Sequence, residues 1–336
     1  MKDWFYTHEN GSFKKIERES NLVINDEEVL IEPISVGICG SDLFSIKFSC
    51  DERVAIGHEW VGKVLSVGAN VEGVSVGERV SSAANYCCQE CKSCVDRNWS
   101  ECTKRKLLGT DGVSVISNKI KVHHSDLVKL PEQLSVESQV LLEVAFIGDL
   151  AFEHSKRIGL RDSDKVVIFG AGPIGIFAYL AFKFRGYNPV LVEKKIARVK
   201  RAKDLGFNVE NLAKVLISGD HYLKYDMVID CTGSGDGGPG ILPQAHLFAK
   251  RSGGVVVIGK YDDVKIDSNS YHRSNLKASW LGYHSVEEFR ESIKFWEPRI
   301  GDYSEKLVKK FEFSHVEEAF TEAQDRESFK CVLARK

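Results

Sequence analysis

The chain has 336 residues, 43% of them hydrophobic and 28% charged, with a formal net charge of −2 at pH 7. The length leaves room for two domains, the composition is ordinarily globular, and near-neutral charge with scattered Lys and Arg argues against a nucleic-acid partner. No apolar run approaches the ~20 residues that span a bilayer, and the start Met1-Lys2-Asp3-Trp4 lacks a signal-peptide apolar core. A cytoplasmic chain without a membrane partner, its thiols reduced, is therefore expected.

Over the first 145 residues or so, short alternating stretches rich in Val and Gly predict strands of a barrel or sandwich. Glu28 to Val36 and Val61 to Gly68 are examples. A loop-like stretch then carries Cys88-x2-Cys91-x2-Cys94-x7-Cys102. Four thiolates suit a tetrahedral zinc ion, and each CxxC presents a pair of sulfurs to one metal. A bacterial ferredoxin run would close with a gap of three and a Pro; here the gap is seven, without Pro. Four such cysteines meeting by chance as buried core residues is the weaker explanation. A closed four-thiolate site has no open position, so this zinc is structural, in a lobe spanning about residues 85–105.

From about residue 135 the texture changes. Val136 to Ile158 reads as one long helix, followed by the apolar strand Lys165 to Phe169. Gly175 to Arg185 and Ala197 to Leu205 read as helices, alternating with strands at Pro189 to Glu193, Met227 to Cys231 and Gly254 to Gly259. The run from Lys194 to Lys203 has the alternation of a solvated helix face. Strands separated by helices imply a parallel sheet with crossover helices. The rhythm breaks again beyond Trp280, and the segment Phe329 to Ala334 reads as a strand that rejoins the first domain.

Between the first strand and helix of this region lies Gly170-Ala171-Gly172-Pro173-Ile174-Gly175. The GxGxxG spacing in that context marks a dinucleotide-binding turn. Gly170 allows the tight turn, Gly172 the approach of a pyrophosphate, and Gly175 the packing of helix on strand. Glu193 ends the second strand, where an acid would bind the adenosine ribose. A carboxylate there favours NAD over NADP, a preference moderated by Lys194, Lys195 and Arg198 close by. An ordinary turn with a surface Glu is the weaker alternative.

Gly37-Ile38-Cys39-Gly40-Ser41-Asp42, Gly57-His58-Glu59, the cysteine lobe, the glycine turn and Asp230-Cys231-Thr232-Gly233 follow one another in this order. In these motifs the chain resembles the zinc-containing medium-chain dehydrogenases over nearly its full length, the sorbitol and other polyol dehydrogenases most of all. The resemblance implies an α/β protein with a GroES-like β-rich catalytic domain (1–145 and 283–336) and a doubly wound Rossmann domain (146–282), with the active site between them. It implies two zinc ions per chain. Cys39 and His58 match ligands of the catalytic ion, and Glu59 matches a residue that ligates it or stands just behind it. Counting forward from Leu130-Pro131 puts Glu143 near the zinc or its water; counting back from Gly170 makes Asp149 a competitor. Ser41 matches the hydroxyl that meets the substrate oxygen, and Asp42 a carboxylate that orients His58. Pro173, Ile174, Arg198, Ile258 and Gly259 join the glycines as coenzyme contacts.

The implied reaction is hydride transfer between a secondary alcohol of the polyol, sugar-alcohol or cyclitol type and NAD, in a homodimer or homotetramer. An aldehyde- or primary-alcohol-specific relative and a non-catalytic NAD(H)-binding protein are the alternatives. Phe44 stands where many relatives carry a His that passes the proton to solvent. The stretch from Cys39 to His58 is short, and Gly112 to His124 lacks the usual Gly-Gly-Phe-Ala-Glu-Tyr-like run. Cys50, Cys87, Cys231 and Cys331 read as small core residues, and His154, Tyr283 and His284 as ordinary packing or surface groups.

Overall fold

The computed structural model describes residues 2–19, 22–48, 53–96, 98, 101–109, 114–234, 238–282, 284–325 and 328–335. Cys50, Gly112 and Tyr283 lie outside them. The chain divides into two units, Met1–Glu143 with Tyr283–Lys336, and Val144–Gly282. No helix among the described residues is long and apolar enough to cross a membrane.

The first unit is β-rich. Its largest sheet runs Leu127–Lys129, Arg79–Ser82, Glu59–Val67, Glu28–Gly37, Lys330–Ala334 and Val308–Glu312, with Ile120–His123 also paired to Glu28–Gly37. Glu28–Gly37 alternates half-buried and buried positions, so Val29, Ile31 and Val36 face one core with Trp60, Val64 and Ile116. The strand expected over 329–334 does rejoin this sheet. It pairs antiparallel with Glu28–Gly37, Val332 opposite Gly37, and parallel with Val308–Glu312. The helix Gly40–Phe48 follows the central strand directly, and Leu43 and Ile46 pin it to the same core.

The second unit holds a six-stranded parallel sheet in the order Val209–Asn211, Val190–Glu193, Val166–Phe169, Tyr225–Asp230, Ala249–Val257, Lys277–Trp280. Numbered along the unit, that order is 3-2-1-4-5-6, the doubly wound arrangement that binds dinucleotides where the order reverses. The four residues Val166 to Phe169 are all buried, as a parallel strand covered on both faces must be.

The long helix expected over 136–158 is instead two helices, Val136–Val140 and Leu142–Arg157. Neither Gly nor Pro marks the break, because the joint residue Leu141 keeps right-handed helical angles (φ −78°, ψ −14°) and is fully buried. The apolar period therefore runs through it unbroken. The following helix starts earlier than the periodicity suggests, at Pro173, with Gly172 as its N-cap. Pro is suited to that first position, where no N–H is needed. Ile196–Asp204 is the basic helix, and only Val199 and Ala202 of it are buried.

Candidate active site and coenzyme turn

In the first unit the end of the strand Glu28–Gly37 delivers Cys39, and the start of Glu59–Val67 delivers His58 and Glu59. A donor atom from each of the three lies within 4.8 Å of the others. Asp42 holds this arrangement together. Its Oδ2 accepts the Cys39 N–H at 2.8 Å, its Oδ1 accepts the Gly57 N–H at 3.1 Å, and His58 Nδ1 stands 3.4 Å from Oδ1. Gly57 turns with φ +90°, a left-handed conformation that favours glycine. With Nδ1 facing the carboxylate, His58 turns Nε2 away from Asp42. Ser41 Oγ lies 3.5 Å from that Nε2.

The electrostatics fit a bound cation. Burial would lower the His58 pKa, but the Asp42 carboxylate and the Cys39 sulfur raise it well above the usual imidazole range. Burial likewise opposes ionisation of Asp42, yet the His58 charge and the Cys39 and Gly57 N–H donors hold it below the usual carboxylate range. The groups around His58 thus favour a positive charge at its position. A sulfur, an imidazole nitrogen and a carboxylate are donors that zinc accepts.

Glu59 has a partner the sequence reading missed. Lys330, from the strand Lys330–Ala334, forms an ion pair with it, both side chains 2% exposed, and donates to the Ile38 carbonyl at 2.9 Å. A lysine in the otherwise apolar run Phe329 to Ala334 was the available signal. Gly37 is required beside them, since a Cβ there would come within 2.4 Å of Glu59 Oε2. Glu143 is 5% exposed and outside the three-donor group. Burial first, then the nearby Glu59 charge, pushes its carboxyl up to about 7. Asp149 belongs to the second unit and is ion-paired with Arg185, so it is occupied elsewhere.

The cysteine lobe forms its own cluster. Cys88, Cys91, Cys94 and Cys102 sulfurs all lie within 4.8 Å of one another, with contacts of 3.9 Å (Cys88–Cys94), 3.5 Å (Cys91–Cys94) and 3.7 Å (Cys102–Cys88). Four sulfurs at ~2.3 Å from one zinc form a tetrahedron with edges of about 3.8 Å, so these separations fit zinc. Backbone N–H groups of Glu90 and Cys91 lower the Cys88 thiol to about 6. Cys94, by contrast, is raised by burial. Cys87 is half-buried, and so is Cys231, whose thiol burial pushes well up, while Cys331 is buried.

In the second unit Gly170 has φ +98°, and a Cβ on Gly175 would stand 1.7 Å from the Gly170 carbonyl. Above Gly172, at the N-terminus of Pro173–Lys183, a Cβ would meet nothing closer than the Arg198 Nη1 at 3.6 Å. In dinucleotide-binding turns of this kind the helix N-terminus faces a pyrophosphate. Ile174 lies in that helix's first turn. Glu193 Oε2 accepts the Ala171 N–H and Oε1 the Lys195 N–H, each at 2.8 Å, with Arg198 Nη1 3.9 Å away. Across the sheet, Ile258 and Gly259 N–H groups both donate to the Asp230 carbonyl, and Gly259 packs against Gly233. His154 contacts Ser279 Oγ at 2.8 Å, and His284 contacts the Ala83 carbonyl at 3.0 Å.

The family model of the alcohol dehydrogenase GroES-like domain matches residues 25–132. The sorbitol dehydrogenase of Bombyx mori is 31% identical over 271 residues, 74% of each chain. The D-arabitol-phosphate dehydrogenase of Enterococcus avium is 27% identical over 322 residues, 92% of this chain and 90% of that one. Among solved structures, the fold is similar to that of 2R,3R-butanediol dehydrogenase from Bacillus subtilis, with TM-score 0.82, 22% identity, and 99% and 100% of the two chains covered. It is also similar to an alcohol dehydrogenase from Escherichia coli CFT073 complexed with NADH, with TM-score 0.84, 23% identity and 99% of both chains covered.

Proposed function

The chain belongs to the zinc-containing medium-chain alcohol and polyol dehydrogenases, and from that membership we propose that it oxidises a secondary alcohol of the polyol, sugar-alcohol or cyclitol type with NAD. The observation that carries this reading is the meeting of Cys39, His58 and Glu59 donor atoms within 4.8 Å, with the Ser41 hydroxyl 3.5 Å from His58. Cys39 and His58 would hold the catalytic zinc, with Glu59 as a third ligand or the carboxylate behind it. Glu143 is the acid next to that set, and Cys88, Cys91, Cys94 and Cys102 would hold the structural ion.

Zinc supplies a Lewis acid for the alcohol oxygen, and the nicotinamide ring accepts the hydride. The chain does the rest. Ser41 accepts the hydroxyl proton of the substrate and orients its oxygen. Asp42 fixes the His58 tautomer through Nδ1, so that Nε2 faces the site. Phe44 has no proton to pass on, so the proton leaves Ser41 by water or by the coenzyme ribose. Gly170, Gly172, Pro173, Ile174 and Gly175 form the pyrophosphate turn, with Ile258 and Gly259 beside it. Glu193 takes the adenosine ribose, and Arg198 stands where a 2′-phosphate would otherwise be met.

The edge strand Lys277–Trp280, with Trp280 53% exposed, supports pairing of chains into a homodimer or homotetramer. A reducing, cytoplasmic setting fits thiols meant for metal. The test is NADH fluorescence over a panel of polyols, cyclitols and simple alcohols, repeated with Cys39→Ser and His58→Ala. Both variants should abolish oxidation of whichever substrate responds. If either left it unchanged, zinc chemistry at this site would be wrong.

A further inference from the structure

A second set of metal-type donors lies apart from the catalytic and lobe cysteines. The strand Ile120–His123 ends on His123, and the turn His124–Asp126 begins on His124. Because His123 is in register with Glu28 of the central strand, the preceding Glu27 arrives beside the histidine pair. The His124 N–H donates to the Glu27 carbonyl at 3.0 Å, which fixes that approach. Donor atoms of Glu27, His123 and His124 then all lie within 4.8 Å of one another.

The details are those of ligands already oriented. His124 Nε2 and Glu27 Oε2 are 3.1 Å apart. Two donors at ~2.0–2.2 Å from one zinc ion are separated by about 3–3.5 Å. The two imidazoles are stacked, with centroids 5.0 Å apart and planes at 28°. His123 Nδ1 accepts the Ser125 N–H at 3.3 Å and lies 2.9 Å from Ser125 Oγ, which fixes the ring. The other Glu27 oxygen is held by Asn70 Nδ2 at 2.7 Å. Side-chain exposures of 24% for His124 and 42% for Glu27 leave an entry path from solvent.

We propose that Glu27, His123 and His124 form a further metal site, an open two-imidazole, one-carboxylate site for a zinc-class divalent cation. The ion ties the turn before the central strand to the end of Ile120–His123, joining positions 97 residues apart in sequence. It goes beyond the two-zinc reading and does not depend on it, because the test compares uptake between variants of one protein.

The test is calorimetric titration of Zn2+ into zinc-replete full-length protein, beside the triple variant Glu27→Gln, His123→Asn, His124→Asn. The wild type should take up one more equivalent than the triple variant, with a saturable rise in Tm. One equivalent of Cu2+ bound to the wild type should give an EPR spectrum with coupling to two imidazole nitrogens, a readout that needs no variant to fold. Equal zinc uptake by wild type and triple variant, or a copper spectrum without nitrogen coupling, would overturn the site and leave Glu27–His124 as a hydrogen bond only.

Discussion

The Lys330 ammonium pairs with the Glu59 carboxylate beneath the Cys39–His58 pair, with 2% of each side chain exposed. Burial opposes the charge on Lys330, but the Glu59 carboxylate raises its pKa above the usual lysine range. Removing one partner leaves the other charge buried and uncompensated, which costs about 3–5 kcal/mol. Lys330→Met should therefore lower the stability of metal-free protein by that amount in urea unfolding. The double variant with Glu59→Gln should recover a large part of it. An unchanged urea midpoint for Lys330→Met would show that the pair contributes nothing to stability.

The two proposed zinc sites share no ligand, and metal analysis can separate them. Cys39→Ser should lose one zinc per chain and keep the other. Cys94→Ser should lose the lobe ion and make the region around 85–107 sensitive to protease, because a closed thiolate site supplies folding energy to a loop with little core of its own. Loss of both ions from Cys39→Ser would contradict this independence.

Glu193 has both oxygens on backbone N–H groups, with Arg198 close by. Removing the acid takes away the proposed ribose acceptor and leaves the guanidinium. A hydrogen bond to a charged group is worth ~1.5–3 kcal/mol, so Glu193→Ala should shift the ratio of NAD to NADP affinity by roughly 10–100-fold toward NADP. Fluorescence titration with both reduced coenzymes gives the ratio directly. The same variant should also melt earlier, since the Ala171 and Lys195 N–H groups lose their acceptor.

Asp126 is a buried carboxyl near the lobe, 6% exposed, with Gln89 Nε2 at 3.3 Å. Burial raises its pKa from 3.8 to about 7, against a smaller lowering by Gln89. The folded chain therefore binds more protons than the unfolded one between those two values. Stability from this group is present below the unfolded pKa and declines as pH rises through the window. Asp126→Asn should be more stable than wild type at pH 8, by up to about 4 kcal/mol, and that advantage should shrink by ~2–3 kcal/mol at pH 5. Urea unfolding at the two pH values tests it, and a pH-independent difference would exclude titration of Asp126 as the cause.

Features confined to a short stretch of chain were legible in the sequence. The glycine turn carries its own geometry in the positions of Gly170, Gly172 and Gly175, and the lobe carries its ligands within fifteen consecutive residues. The doubly wound sheet was legible from alternating patterns, because each strand and helix satisfies a local period. What could not be read was what pairing across the fold decides. The break at Leu141 leaves no sequence mark, since its backbone keeps helical angles. Counting along the chain leaves Glu143 and Asp149 open; the Glu59 charge acts on Glu143, and Asp149 pairs with Arg185. Lys330 stands out in its apolar run, but its partner could not be read for the same reason. Nothing near it in sequence says that its strand lies next to Cys39.

That strand has a consequence for the order in which the protein comes into being. Lys330 and Ile38 are joined although 292 residues separate them, and the whole parallel sheet of the second unit is synthesised in between. During translation the second unit can close on local contacts while the strand Glu28–Gly37 still has an open edge and Glu59 an unmatched charge. The proposed metal pocket is therefore among the last parts to mature on the ribosome, and a chain stalled before residue 330 carries Glu59 without the cation that balances it.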